Sequence, residues 1–378
     1  MRNLSFLARA ASDFVNSLTS ANWPRVMITL TVGTVGAFVF ATAGLPAAFL
    51  SGAMVSVAAI AIARVSTEVP DALRDICFFA TGIAMGSGVN PHTVVSATKW
   101  PLSLAILGLA VFAIGGSVYL FFHRVAGWDA KTSFYASIPG ALTFVMALAS
   151  KSDADIRFVA VSQSIRLFFL VAILPVVLIS TSGELPPMDP ETIMLGFGDA
   201  IKLICAAIFA VFVLSWFRVP AATMVGPFLA SAILFGAGLV SGTIQPLVLN
   251  AGLIVLGAMI GNRFGSIDLP TLRRLVLVSA GALSIGLSIA VAFAGLTVWV
   301  TGLAFGQVLL AFAPGGLEAM IILAFLFDLD PAYVAAHQVA RLIGMMIFLP
   351  AFVTVLSIKQ SRTGMQPGAA SSKDKSDP

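Results

Sequence analysis

Ala136-Ser137-Ile138-Pro139-Gly140-Ala141-Leu142 opens a pattern that continues as Asp153-x-Asp155, Gln163-x-x-Arg166 and Leu174-Pro175. Ala311-Phe312-Ala313-Pro314-Gly315-Gly316-Leu317 opens it again 175 residues later, followed by Asp328-x-Asp330, Gln338-x-x-Arg341 and Leu349-Pro350. Laid on each other without a gap, 136–175 and 311–350 share 15 of 40 residues. The shared residues include Pro, Gly, Asp, Gln and Arg, which hydrocarbon tolerates least, so overlap of common apolar residues does not explain them. The chain is a duplicated unit whose copies each put helix breakers and an ionisable residue at membrane depth. That is the sequence pattern of a transporter built from repeats.

Composition supports the membrane reading. Apolar residues make up 59% of the 378 positions and charged residues only 10%. A soluble domain is nearer half apolar and a quarter charged, so most of this chain belongs in lipid and no sizeable soluble domain fits. The net charge of +4 comes from basic residues scattered among short loops, which leaves no nucleic-acid footprint. Cys77 and Cys205 each lie within an apolar stretch, which argues against a structural disulfide. Residues 1–24 have no long apolar core or small-residue cleavage site and read as a cytoplasmic N-terminal segment. The polar tail 358–378 reads as disordered.

Apolar segments fall near 25–43, 46–64, 72–90, 101–123, 130–150 and 157–180, and again near 197–217, 220–240, 246–264, 274–298, 304–327 and 331–357. Each approaches the roughly 20 residues that a bilayer helix needs. The repeat reaches upstream of the opening motif: Leu45-Pro-Ala-Ala48 with Gly52 matches Val219-Pro-Ala-Ala222 with Gly226, and Gly82-x-x-x-Gly86 matches Gly257-x-x-x-Gly261. Small residues at that spacing let helices approach closely.

Loop charge chooses between two topologies. If all twelve segments cross, Arg218, Arg263, Arg273 and Arg274 fall outside and Glu184, Asp189 and Glu191 inside, which is backwards for half the chain. If the Pro-Gly segments instead enter and leave on one side, nearly all basic residues fall inside and the linker 181–196, free of Lys and Arg, outside. The expected fold is therefore an all-α polytopic membrane protein of two inverted repeats, 25–180 and 197–357. Each has about five transmembrane helices plus a broken or re-entrant Pro-Gly helix, and both termini are cytoplasmic. Twelve helices in parallel repeats are the alternative.

The chemistry follows from the breaks. Pro139 and Pro314 each remove a donor mid-segment and disfavour helix in the preceding residue. The half-helices beginning near Gly140 and Gly315 would aim their positive ends at a protein or water cavity, a place suited to an anion. Arg166 and Arg341 lie near the midplane, where an Arg costs about 3 kcal/mol on insertion scales and faces the interior. Gln163 and Gln338 share their helical faces. Each Arg either satisfies the carbonyls of the broken helix or contacts a solute. Glu318 stands where the first copy has Thr143, and His337 where it has Ser162. Glu318 could carry a coupling proton or help hold Na⁺, unless it forms a static salt bridge to Arg341 or Arg166; His337 could titrate near neutrality. Asp153, Asp155, Asp328 and Asp330 read as caps and first-turn acids.

No metal-ligand spacing, phosphate loop or nucleophile constellation occurs, which weighs against an enzyme or a cofactor. From 25 to 357 the duplicated pattern resembles the AbrB family of bacterial membrane proteins, whose members carry labels as regulators of gene expression or as an ammonia monooxygenase. The motifs that carry the resemblance are Leu/Val-Pro-Ala, Gly-x-x-x-Gly, and Pro-Gly-(Gly/Ala)-Leu followed by Gln-x-x-Arg. These residues support neither label: no copper or iron ligand cluster and no DNA-reading module occur. The expected function is a secondary transporter of the bacterial inner membrane, moving a small organic anion by alternating access. Pro139, Gly140, Thr143, Gln163, Arg166, Pro314, Gly315, Gly316, Gln338 and Arg341 would line the site. Glu318 or His337 would couple H⁺ or Na⁺. The competing class is a membrane-embedded sensor or regulator. Expected partners are the bilayer, the solute and the coupling ion, with a homo-oligomer left open.

Overall fold

The computed structural model describes residues 12, 14–87, 98, 100–139, 142–150, 152–182, 195–217, 219, 221–242, 245–266 and 269–345. Gly140, Pro350, residues 1–11, 183–194 of the linker and the tail 358–378 lie outside the described residues. Among those described the chain is helical, with no strand. The first run comprises α1 (Trp23–Thr42), α2 (Ala48–Ile62), α3 (Asp71–Gly86), α4 (Trp100–Leu120), α5 (Ala130–Ser137), α6 (Leu142–Ala149) and α7 (Ile156–Ser182). The second comprises α8 (Phe197–Trp216), α9 (Ala222–Gly236), α10 (Pro246–Asn262), α11 (Leu269–Thr301), α12 (Phe305–Phe312), α13 (Leu317–Leu326) and α14 (331–345). Each element of the first run has its counterpart in the second.

The duplication extends to backbone conformation. Pro-Ala precedes both α2 and α9, and in each case the alanine before the helix is left-handed, Ala47 at φ 49° and Ala221 at φ 53°. A non-glycine residue adopts that region only where the surroundings enforce it, and here the same strain occurs at matching places. The turns into the broken helices also match, with Gly127 at φ 71° and Gly302 at φ 68°.

Six of the described helices are long and apolar enough to cross a membrane: Trp23–Thr42, Trp100–Val125, Ile156–Ser180, Phe197–Trp216, Pro246–Gly265 and Pro270–Thr301. Their outer faces carry large exposed apolar side chains, including Phe38, Phe112, Phe209, Leu277 and Trp299. In water such a surface would be a liability; against lipid it is the solvated face. The chain is a multi-pass membrane protein. Helices α2 and α9 are shorter, at 15 residues each. They span only about 22 Å, and their buried residues, among them Leu50, Met54, Met224 and Phe228, place them inside the bundle.

Glycines bring the two repeats into contact reciprocally. A Cβ on Gly82 of α3 would stand 2.5 Å from the Met224 carbonyl oxygen of α9, and one on Gly86 2.5 Å from Ser231 Cβ. In the mirrored pair, a Cβ on Gly257 of α10 would meet Ala53 and Met54 of α2 at 3.0 Å, and one on Gly261 the Met54 carbonyl oxygen at 2.5 Å. Only glycine permits backbones this close. The register also gives direction: α3 runs parallel to α9, and α2 parallel to α10. Helices α4 and α11 run antiparallel, because Gly281 faces Phe121 while Gly286 faces Val118 and Ile114.

Candidate functional site

The site begins with two acids that fix helix register. Asp155 Oδ1 accepts from the amides of Arg157 (2.9 Å) and Phe158 (3.3 Å) at the start of α7. Asp330 Oδ1 accepts from those of Ala332 (3.0 Å) and Tyr333 (3.1 Å) at the start of α14. These are N-caps in both copies. Of the other two acids, Asp153 instead pairs with Lys131 at 2.5 Å, and that hydrogen bond holds its carboxyl below the usual range. Asp328 has a left-handed backbone at φ 50°.

Eight and eleven residues beyond each cap stand the Gln and the Arg. Pro139 and Pro314 end α5 and α12, and the residues before them, Ile138 (ψ 120°) and Ala313 (ψ 136°), are extended as a following proline requires. The last carbonyls of both half-helices therefore lose their helical donors. Gln163 Nε2 donates to the Tyr135 carbonyl at 3.1 Å, and Gln338 Nε2 to the Leu310 carbonyl at 2.8 Å. Arg166 Nη1 donates to the Ile138 carbonyl at 3.2 Å, and Arg341 Nη1 to the Ala313 carbonyl at 2.6 Å. The four bonds are two pairs in repeat register. Each guanidinium also sits at the negative end of a helix.

The copies then diverge. Arg341 additionally donates to the Gly315 carbonyl at 3.0 Å and to Gln338 Oε1, so its fork is largely occupied. Arg166 makes only the one bond among the described residues. Arg166 and Arg341 are near enough to repel each other electrostatically, and neither pairs with a carboxylate among the described residues. Among the described residues, the positive charge at the breaks is held by helix carbonyls rather than by carboxylates.

Beside Arg166 lies a cavity walled by α4, α5, α7 and α11 and closed by Pro314. Ser137, Ser162 and Ser279 line it together with Arg166. The room inside it is only about 10 Å³, enough for one water.

The expected site residues divide accordingly. Gln163 and Arg166 gather at the Pro139 break, and Gln338 and Arg341 at Pro314, Gly315 and Gly316. Gly140 lies outside the described residues, and the side chain of Thr143 does as well. Glu318 forms no ion pair with Arg341 or Arg166: in the first turn of α13 it interacts instead with Arg263 at the end of α10. The alternative of a static bridge to either central arginine is thereby corrected, since no ion pair involving Glu318 forms among the described residues. His337 is fully buried away from the cavity, its Nε2 2.7 Å from Ser103 Oγ and its Nδ1 2.8 Å from the Tyr333 carbonyl oxygen. Sequence reasoning missed Ser279, Ser103, Trp100 and Tyr333; a lone hydroxyl or aromatic in an apolar helix carries no periodic signal. Among the described residues no group of three His, Cys, Asp or Glu comes together.

Residues 49–357 match the family model described as "Transition state regulatory protein AbrB". A protein of Escherichia coli named "Putative regulator AbrB" is 28% identical over 330 residues, covering 84% of this chain and 92% of the relative. A Bacillus subtilis protein, YhjN, is 28% identical over 295 residues, covering 73% and 76%. Both breaks, both Gln-x-x-Arg pairs and the reciprocal glycines fall within the matched span, and the chain belongs to the AbrB family.

Proposed function

We propose that this protein is a secondary transporter of the bacterial inner membrane, not an enzyme, and that it moves a small organic anion by alternating access. The observation that carries this reading is the pair of broken helices, each held by the Gln and Arg of its own repeat. Neither guanidinium has a carboxylate partner among the described residues, and Arg166 lines a cavity walled by both repeats. Fixed positive charge away from bulk water attracts an anion strongly. A cavity with room for one water is the closed form that such a cycle passes through.

The same reading takes the repeats as inverted, with both termini cytoplasmic. Support comes from the antiparallel course of α4 and α11, which are counterparts in the duplication, and from α3 running with α9 rather than with α10. Single cysteines in 183–194 should react with an impermeant maleimide from outside the cell; labelling only from inside would overturn the inversion.

Transport itself is tested in proteoliposomes with counterflow of labelled short-chain carboxylates. Saturable counterflow supports the reading, and its absence across the series, with folded protein present, rejects it. The regulator named for the Escherichia coli relative favours a second reading, in which solute binding is sensed without being moved. Binding without flux is its signature.

A further inference from the structure

The two arginines match in sequence but not in what they still have to offer, and the cavity shows the difference. Its second unusual lining group is Ser279, which is 1% exposed and whose hydroxyl has no partner among the described residues. Hydroxyls in apolar helices ordinarily bond a carbonyl one turn back. In the same helix α11, Ser284 bonds the Ala280 carbonyl at 2.9 Å, Thr297 that of Phe293 at 2.8 Å and Thr301 that of Thr297 at 2.7 Å. Ser279 makes no such bond among the described residues, and it lines a space that Arg166 also lines. A buried unmatched hydroxyl is costly, and such an exception calls for a missing partner.

We infer that Arg166 and Ser279 form the head-group site for the carboxylate of a small monocarboxylate of about two to four carbons, and that Arg341 is structural. This deepens the proposed function and rests on it for the solute's role, though the site itself does not require transport. A carboxylate only accepts hydrogen bonds, and it has room for several donors. The Arg166 guanidinium, which makes one bond among the described residues, supplies a charge-assisted donor, and Ser279 from the other repeat supplies a neutral one. Ser162, on the same face of α7 one turn earlier, adds a third. Of the remaining walls, the Ser137 hydroxyl is bonded to the Phe134 carbonyl, and Ile114, Val118, Phe122 and Leu283 are apolar. They suit a short carbon chain and offer nothing to a second charge. In this closed form the clearance holds a single water, so a short acid enters only as the walls part, and a long acyl chain would need a still larger opening.

The head group would touch both repeats, Arg166 and Ser162 from α7 and Ser279 from α11. A solute so placed holds the repeats together when bound and frees them when it leaves, which is the contact that alternating access requires.

The test is equilibrium binding of labelled acetate, propionate, lactate and pyruvate to the full chain in nanodiscs, with hexanoate and chloride as competitors and thermal unfolding run alongside. Saturable binding of at least one short acid is expected, with weak competition by hexanoate and chloride. Ser279→Ala should weaken binding about tenfold or more, with the unfolding midpoint unchanged or raised because an orphaned hydroxyl has been removed. Ser162→Ala is expected to weaken it less, and Arg166→Lys to weaken it strongly while keeping the charge. Wild-type affinity in Ser279→Ala overturns the assignment, as does equal competition by chloride or the absence of binding by all four acids. Intact, Ser279-dependent binding without counterflow keeps this site and rejects transport, whereas counterflow that ignores Ser279→Ala does the reverse.

Discussion

Arg341 donates to the carbonyl of Ala313 across 2.6 Å, closing the gap that Pro314 opens in α12. The equivalent bond, Arg166 to Ile138, is longer at 3.2 Å and, among the described residues, stands without the extra contacts that hold Arg341. One pattern in sequence therefore supports two duties. Replacing Arg341 with Gln should orphan the Ala313 and Gly315 carbonyls, each worth about 1–3 kcal/mol when buried and unmet. Arg166→Gln should lose less stability and more solute binding. Thermal unfolding in detergent, followed by tryptophan fluorescence, ranks the two; a larger stability loss for Arg166→Gln would contradict the division.

The reciprocal glycines make a sharper packing prediction. Gly86→Ala places a methyl 2.5 Å from Ser231 Cβ and 2.9 Å from the Ala232 amide, with backbone on one side that cannot yield. A loss of about 1–3 kcal/mol is expected from overpacking, and Gly261→Ala should match it across the repeat. Gly116→Ala in α4 meets nothing within 4 Å. It should leave stability unchanged or raise it by as much as about 1 kcal/mol through helix propensity. Unfolding midpoints of the three variants decide this.

The capping acids offer a test of the duplication at the level of energy. Asp155→Ala and Asp330→Ala each remove an N-cap bonded to two amides, at a cost of about 1 kcal/mol apiece. Similar losses are expected because the geometry is the same. Asp153→Ala, which breaks a solvent-exposed pair with Lys131, should change almost nothing.

Glu318 is the acid that distinguishes the second copy, and it lies in the first turn of α13 near Arg263. Glu318→Gln should abolish accumulation driven by a proton or sodium gradient while sparing counterflow between equal ion concentrations. Driven uptake at the wild-type rate would remove Glu318 from coupling. His337→Gln should instead act on stability, since both ring nitrogens are engaged within the buried contact to Ser103 and Tyr333.

Pro314→Ala restores a donor and lets Ala313 return to helical geometry. The variant should fold but lose flux at least tenfold, because a continuous helix offers Arg341 no free carbonyls and moves the wall that closes the cavity. Counterflow rates normalised to folded protein measure it; undiminished flux shows the break to be dispensable.

Much of this arrangement was legible in the residues. Proline cannot donate and bars helix from its predecessor, so Pro139 and Pro314 determined two breaks at matching depth whatever surrounded them. Gln-x-x-Arg put amide and guanidinium on one helical face, and the capping acids fixed the register from which both project. Hydropathy determined a membrane chain, and Gly-x-x-x-Gly determined that backbones would meet at those points. Which backbones they met was decided only in three dimensions, since glycine creates room without naming its partner: α3 packs on α9 and α2 on α10, across the repeats. The tertiary structure also decided the fate of the charges. Sequence makes Arg166 and Arg341 equals and leaves Glu318 free to pair with either. Packing gives Arg341 three hydrogen bonds, leaves Glu318 without an ion pair to either arginine, and places Arg166 beside a serine that has no partner among the described residues.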